Sequence, residues 1–223
     1  MTTVLAGGRA LTLLAEKAAF VASSRTLMVA DAHIGKAVSF RALGVPVPRG
    51  TTSETLERLA AMVARTGARR VVFLGDLLHS ARSHAPATLA ALAAWRRRHA
   101  KLELVLVRGN HDDRAGDPPA ALDIEVVDEP FHSDGLALCH HPRRVAGAYV
   151  LAGHLHPCVR LGAGSFDALR LPCFWLGDEV GVLPAFGAFT GMHPVQAGAG
   201  ERVFAIADGL VAATRPAGYR LAA

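Results

Sequence analysis

Residues 102–112 read LELVLVRGNHD. Leu102–Val107 is apolar apart from Glu103, and its length and composition suit one buried strand. The run breaks at Arg108-Gly109, and Asn110, His111 and Asp112 follow at once, three side chains able to bind metals or carry protons. At ordinary residue frequencies GNHD arises by chance in such a chain on the order of once in a thousand. The same arrangement recurs on both sides of it. Thr26–Ala30 (TLMVA) runs into Asp31-Ala32-His33, and Arg70–Leu74 (RVVFL) into Gly75-Asp76. Leu136–Cys139 (LALC) runs into His140, and Tyr149–Ala152 (YVLA) into Gly153-His154-Leu155-His156. A lone DxH or GD behind a strand is usually a turn or a helix cap. Five consecutive apolar runs that end this way point to one site, because layered α/β folds gather ligands at strand C-termini.

Amphipathic segments lie between the strands. Leu56, Leu59, Ala60 and Val63 share a face, Thr51 and Glu54 offer a capping box, and Gly67 a stop. Pro86 to Arg98 reads as a second helix with Leu89, Leu92 and Ala93 inward. Strands and helices alternate in the first half, and the second half holds short strands and turns. That order predicts a sheet sandwich flanked by helices, an α/β (α+β layered) fold. With 223 residues, no internal repeat and no long linker, residues 1–223 are expected to form a single domain.

Hydrophobic residues make up 51% and charged residues 19%, which excludes a disordered or fibrous chain. A net charge of +5 favours anionic partners and permits nucleic acid, without the charge density of a DNA-coating protein. Cys139, Cys158 and Cys173 form neither a CxxC pair nor an even framework, so they are expected as small core residues in a reducing compartment. Arg9, Glu16 and Lys17 interrupt the N-terminal apolar run before a signal peptide is complete. The sparsely charged stretch Val180–Gly200 is broken by Pro184 and Pro194, so no membrane span is expected and the location is expected to be cytoplasmic. The donors at the strand ends are Asp, His and Asn without Cys, a set that suits Mn, Fe or Zn better than copper or an iron–sulfur cluster.

DxH, GD, GNHD, His and GHxH, in this order and each at a strand end, resemble the calcineurin-like metallophosphoesterase superfamily. ADAHIGKAVSFRALGVPVPRGTTSETLERL (residues 30–59) and VVFLGDLLHSARS (71–83) resemble more closely its bacterial ligase-associated subgroup, PdeM. The similarity runs from about residue 10 to about 215 and includes LPAFGAFTG (183–191). Ala32 stands where a larger apolar residue is usual. The resemblance implies a β-sandwich of two mixed sheets and two divalent ions, Mn²⁺ first, with Fe or Zn as alternatives. Asp31, His33 and His156 would bind one ion, Asn110, His140 and His154 the other, and Asp76 would bridge them. A carboxylate can hold two cations roughly 3.5–4 Å apart, and a hydroxide held between them would attack phosphorus. His111 would be the general acid, with Asp112 orienting its ring.

The family's motif spacing places His140 rather than its neighbour His141 at the site, and adjacent strand residues face opposite ways, so only one of the two would point inward. His79 and His84 follow GD closely and are expected at the surface, behind the ligands or against substrate, with no preference among the three. His99, His132 and His193 are expected to be structural or solvated. Lys36, Arg49, Arg108, Arg143 and Arg144 lie near the motifs as phosphate-binding candidates, each weighed against the plainer reading of a solvated charge. Phe186 and Phe189 are base-stacking candidates, though an aromatic pair in a glycine-rich turn is more often core.

The subgroup resemblance implies a DNA-repair endonuclease acting on single-stranded DNA, alongside an ATP-dependent DNA ligase, a helicase and a β-lactamase-fold exonuclease. The alternative is a phosphoesterase acting on nucleotides, cyclic nucleotides or phosphoproteins. A third reading is a metal-free scaffold, against which the complete donor set argues, since clustered carboxylates and imidazoles cost stability without a cation. Homodimers are common in the superfamily, and no segment of this sequence marks an interface.

Overall fold

The strand-end reading requires that the apolar runs lie side by side and end at a common edge, and they do. A computed structural model describes residues 1–48, 50–161 and 169–214. The first sheet comprises β1 (Thr2–Ala6), β2 (Arg9–Leu14), β3 (Ala18–Val21), β4 (Thr26–Val29), β5 (Arg70–Leu74), β6 (Glu103–Val107) and β7 (Glu125–Val127), in that spatial order. From β1 to β4 it is an antiparallel meander; from β4 to β7 every pair is parallel. Parallel neighbours need crossovers. Two of these carry the long helices α2 (Thr51–Thr66) and α3 (Pro86–Arg98), while α1 (Lys36–Ala42) and α4 (Asn110–Ala115) are short.

The second sheet is mixed. Its main path runs β14 (His193–Pro194), β11 (Pro157–Leu161), β12 (Leu169–Leu176), β13 (Val180–Val182), β10 (Tyr149–Ala152), β9 (Leu136–Leu138) and β8 (Phe131–Ser133), with β15 (Arg202–Ala207) and β16 (Leu210–Thr214) branching from β12. The expected strands are all present, with ends moved by at most a residue.

Strand alternation sorts the core into layers. Met28, Val72 and Val105 face the second sheet and pack with Leu138, Leu151, Phe174 and Ile206. Their neighbours Leu27, Val29, Val71, Phe73, Leu104 and Leu106 face the other way, onto Leu56, Leu59 and Met62 of α2 and Leu92 and Trp95 of α3. Both faces of the parallel strands are buried, which is why they read as continuous apolar runs. Three free cysteines are buried, as expected.

Two expectations change. The α2 start has no capping box. Gly50 adopts φ 94°, a left-handed conformation that glycine enters freely, and its carbonyl accepts the Glu54 N–H, so Thr51 is already inside the helix. The first three strands were not expected at all, because β1 to β3 are short and carry no chemistry at their ends.

Candidate active site

Motif backbones are stitched together before any side chain is considered. Asp31 N–H donates to the Gly75 carbonyl at 3.2 Å, His33 N–H to the Asp76 carbonyl at 2.9 Å, and Gly153 N–H to the His140 carbonyl at 3.1 Å. DxH thus lies along GD, and GHxH along His140. Asp31, His33, Asp76, His154 and His156 all have left-handed backbones, with φ of 53°, 44°, 53°, 70° and 49°. Such a conformation costs of order 1–3 kcal/mol per non-glycine residue and concentrates at functional sites. The glycines before Asp76, Asn110 and His154 are required by their neighbours. A β-carbon at Gly75 would collide with the His140 imidazole, one at Gly109 would lie 2.5 Å from Asp76 Oδ1, and one at Gly153 would lie 2.7 Å from Asp31 Oδ2.

Asp76, only 2% exposed, sends its two oxygens in two directions. Oδ2 lies 3.8 Å from His33 Nε2, whose other neighbour, His156 Nε2, is 3.4 Å away and itself 3.4 Å from Asp31 Oδ1. Oδ1 lies 3.5 Å from His140 Nε2, which is 3.0 Å from both Asn110 Oδ1 and His154 Nδ1. The other six expected donors therefore form two lobes on either side of the Asp76 carboxylate.

The tautomers can be read from the outer partners. His140 Nδ1 donates to the Leu74 carbonyl at 3.1 Å, and His156 Nδ1 to the Gly191 carbonyl at 3.0 Å, which turns both Nε2 lone pairs inward. Burial first, then Lys36, pushes His33 down to about 2, so its ring is neutral. Burial also lowers His154. Burial opposes protonation of His156, but the negative charge of Asp31, whose Oδ1 lies 3.4 Å from Nε2, outweighs it and raises the ring above its ordinary value.

Inward-facing nitrogen lone pairs and two buried carboxylates repel each other. Asp31 Oδ2 accepts the His154 N–H at 2.9 Å, yet its buried Oδ1 has no hydrogen-bond partner. Among the described residues no Lys or Arg lies within ion-pair distance of Asp31 or Asp76. An uncompensated buried carboxylate is costly unless it binds a cation. The donor set and the orphaned oxygen fit divalent ions; groups drawn from both lobes have the spacing of metal ligands.

His111 sits at the mouth, with 29% of its side chain exposed and Nε2 4.0 Å from Asp76 Oδ2. The expected role of Asp112 is corrected here. Its carboxylate accepts the backbone N–H groups of Asp76 (2.7 Å), Gly109 (3.0 Å) and Leu78 (3.1 Å), and does not hold the His111 ring. Burial first pushes Asp112 up to about 6, against those three amides. The His111 ring is oriented instead by the His79 carbonyl, which accepts from Nδ1 at 2.7 Å, and by stacking on the His79 ring at 4.9 Å. Burial, then Lys36, pushes His79 down to about 4.

The sequence gives no signal for Glu129. Its carboxylate accepts the backbone N–H groups of His140 (2.7 Å) and His141 (2.9 Å) and pairs with His141 Nδ1 at 3.0 Å. His141 thus turns toward Glu129 while His140, fully buried, turns to Asp76.

Of the basic candidates, Lys36 opens α1 directly behind DxH, its ammonium 5.6 Å from the Phe40 ring centre; burial lowers it, against attraction to Asp31 and Asp76. Arg108 is already paired with Asp117 at 3.1 Å and Asp128 at 4.0 Å, which compensates its charge, and Arg144 is paired with Glu179 at 2.9 Å. Arg143 donates to the Glu129 carbonyl at 2.9 Å. Arg49 lies outside the described residues. His84 is half-buried in a 3₁₀ turn, and His99 packs on Trp95.

No protein-family model and no curated protein matches the chain. Among solved structures it is similar to the Pseudomonas putida nuclease MPE, with 44% identity and a TM-score of 0.85 over 96% of this chain and 99% of that one. A looser likeness, carrying no argument, is to YfcE, a phosphoesterase from E. coli, with 15% identity and a TM-score of 0.39 over 82% and 88% of the two chains. The sandwich of two mixed sheets with its Asp/His/Asn cluster defines the class as a metal-dependent phosphoesterase, a hydrolase of phosphate esters. Within that class, the chain belongs to the family of the Pseudomonas putida nuclease MPE.

Proposed function

We propose that this enzyme is a phosphodiesterase that cuts single-stranded DNA internally, in the ligase-associated PdeM subgroup. The observation that carries the reading is the divided Asp76 carboxylate, with a separate set of donors against each oxygen. The 44% identity to a nuclease supports nucleic acid as substrate.

Asp31, His33 and His156 would hold one ion, Asn110, His140 and His154 the second, and Asp76 both. Two divalent ions, when bound, supply positive charge for the phosphoryl oxygens and make water a nucleophile at neutral pH. Manganese fits this oxygen–nitrogen set, as do iron and zinc. His111 moves the proton. Its Nδ1–H is retained by the His79 carbonyl, so the proton passed to the departing oxygen as the P–O bond breaks is the one on Nε2. Asp112 acts one step back, holding the loops of Asp76 and Gly109 in register through three amides. Lys36 and Arg143 flank the lobes and would draw phosphate without reading bases.

A flexible strand can bend a phosphodiester onto a recessed site more cheaply than a duplex with a persistence length near 150 base pairs. This favours single strands. A role in repair beside a DNA ligase, a helicase and an exonuclease rests on the subgroup resemblance, and a cytoplasmic location on the three unpaired cysteines. The test is a circular single-stranded DNA incubated with the Mn²⁺-loaded protein at low salt, since a circle offers no end to an exonuclease or a phosphomonoesterase. Linearisation is expected, with less cutting of duplex. Hydrolysis of a chromogenic diester with the circle left intact would replace the reading with a small-substrate phosphoesterase.

A further inference from the structure

The segment 183–191, LPAFGAFTG, contains two phenylalanines with opposite fates. Phe186 is buried at 1% exposure beneath the Arg58 guanidinium, 4.1 Å from its ring centre, and Arg58 also donates to the Phe186 carbonyl. Phe189 is 48% exposed, one of the few large apolar side chains left in solvent. Its backbone has φ 57°, a conformation that a bulky L-residue avoids. The loop holding it there is tied to the metal-site residues at both ends. Phe186 N–H donates to the Ala30 carbonyl at 2.8 Å and Gly187 N–H to the Asp31 carbonyl at 3.0 Å. At the other end the Gly191 carbonyl accepts from His156 Nδ1.

Beside this loop is a groove of about 240 Å³ that begins at His156 and is lined by Pro157, Pro172, Phe189 and Met192, with Lys17 also in its wall. It is smaller than the roughly 300–1,000 Å³ of a drug-sized site, which suits a single planar ring system and not a base pair. Lys17 is half-buried, and burial first, then the Arg58 charge, lowers its ammonium; among the described residues it has no carboxylate within ion-pair distance. An exposed aromatic, an apolar floor, an uncompensated ammonium and a shared wall with the metal donors describe one nucleotide's worth of recognition.

We infer that this groove is a nucleotide subsite next to the scissile phosphate, in which a base stacks on Phe189 and its phosphate meets Lys17. The inference rests on the DNA reading above and extends it, because every base has a π-face and stacking holds any sequence equally well. A strained, exposed phenylalanine then has a use that packing does not give it.

The test uses the full-length Mn²⁺-loaded protein on single-stranded DNA and on an abasic oligomer of the same length, which carries no ring to stack. Phe189→Ala is expected to lower kcat/KM on DNA roughly 5- to 150-fold, chiefly through KM, and to lower it far less on the abasic oligomer. Phe189→Trp should restore cutting. Its added fluorescence, read against wild type, should be quenched by single-stranded DNA and not by an abasic oligomer. Lys17→Gln should flatten the dependence of log affinity on log salt by about 0.7, one phosphate contact on a single strand. Equal losses on both substrates, or no loss on DNA, would overturn the subsite while leaving the nuclease intact. A wild-type protein that leaves the DNA uncut overturns both.

Discussion

At the scale of the residue, Asp76 stands apart because each of its oxygens faces a different set of donors. Asp76→Asn removes one negative charge from both lobes at once, so it should reduce turnover more than any other single substitution among the seven donors. Kinetics at saturating Mn²⁺ check this, and near-wild-type turnover would refute the two-lobe assignment. His111 is different, since it sits at the mouth and is held by a carbonyl rather than by the donors. His111→Ala should retain its metal and lose roughly 10²–10⁴-fold in turnover, the range for a general acid. Esters with poor leaving groups should suffer most, because nitrophenolate departs without a proton; metal analysis beside a leaving-group series separates these outcomes. That these seven side chains would converge was legible in the sequence, because each stands in a short motif at a strand end. What holds them was not. Glu129 lies in no motif and acts on His140 and His141 across eleven or twelve positions of chain. The Asp112 expectation failed for the same reason: proximity in sequence to His111 suggested a partner, while three backbone amides from two loops took the carboxylate.

At the scale of the element, the parallel strands β4, β5 and β6 are stiff because both faces are buried, and α2 supplies one of those faces. Leu59 is 2% exposed at the centre of the α2 contact. Leu59→Ala should cost about 2–5 kcal/mol of stability, as cavity-forming leucine truncations do, and denaturant unfolding measures it. A smaller cost would mean that the helix collapses onto the sheet. The α2 face was readable from its 3.6-residue spacing, and Gly67 ends the helix in a left-handed conformation as its position suggested. The start of α2 was placed within a residue, but its cap was not readable, because Gly50 supplies by backbone conformation what a side-chain cap supplies elsewhere. The N-terminal meander was also missed: β1 and β2 alternate exposed and buried residues over only five and six positions, which periodicity alone does not separate from loop.

At the scale of the whole molecule, the two sheets, their connections and the donor lobes form a frame that sets like charges and strained backbones together. Bound cations relieve the repulsion, so chelation should destabilise the fold and not only stop catalysis. At metal concentrations about 100 times Kd the linkage is worth about 2.7 kcal/mol. In a chain of 223 residues this corresponds to a Tm lowered by roughly 5–10 °C, restored by Mn²⁺, in a calorimetric scan. An unchanged Tm would mean that the described donors hold no ion. The sequence by itself determined the strand ends at the motifs, the helices α2 and α3 and the side chains that converge at the site, because these depend on short-range periodicity and on residue chemistry. Only the tertiary structure decided which oxygen of Asp76 serves which lobe, that Asp112 braces loops rather than His111, and that Phe186 is core while Phe189 faces solvent beside His156. Those outcomes depend on backbone hydrogen bonds and close approaches between segments far apart in the chain, and no local pattern of residues encodes them.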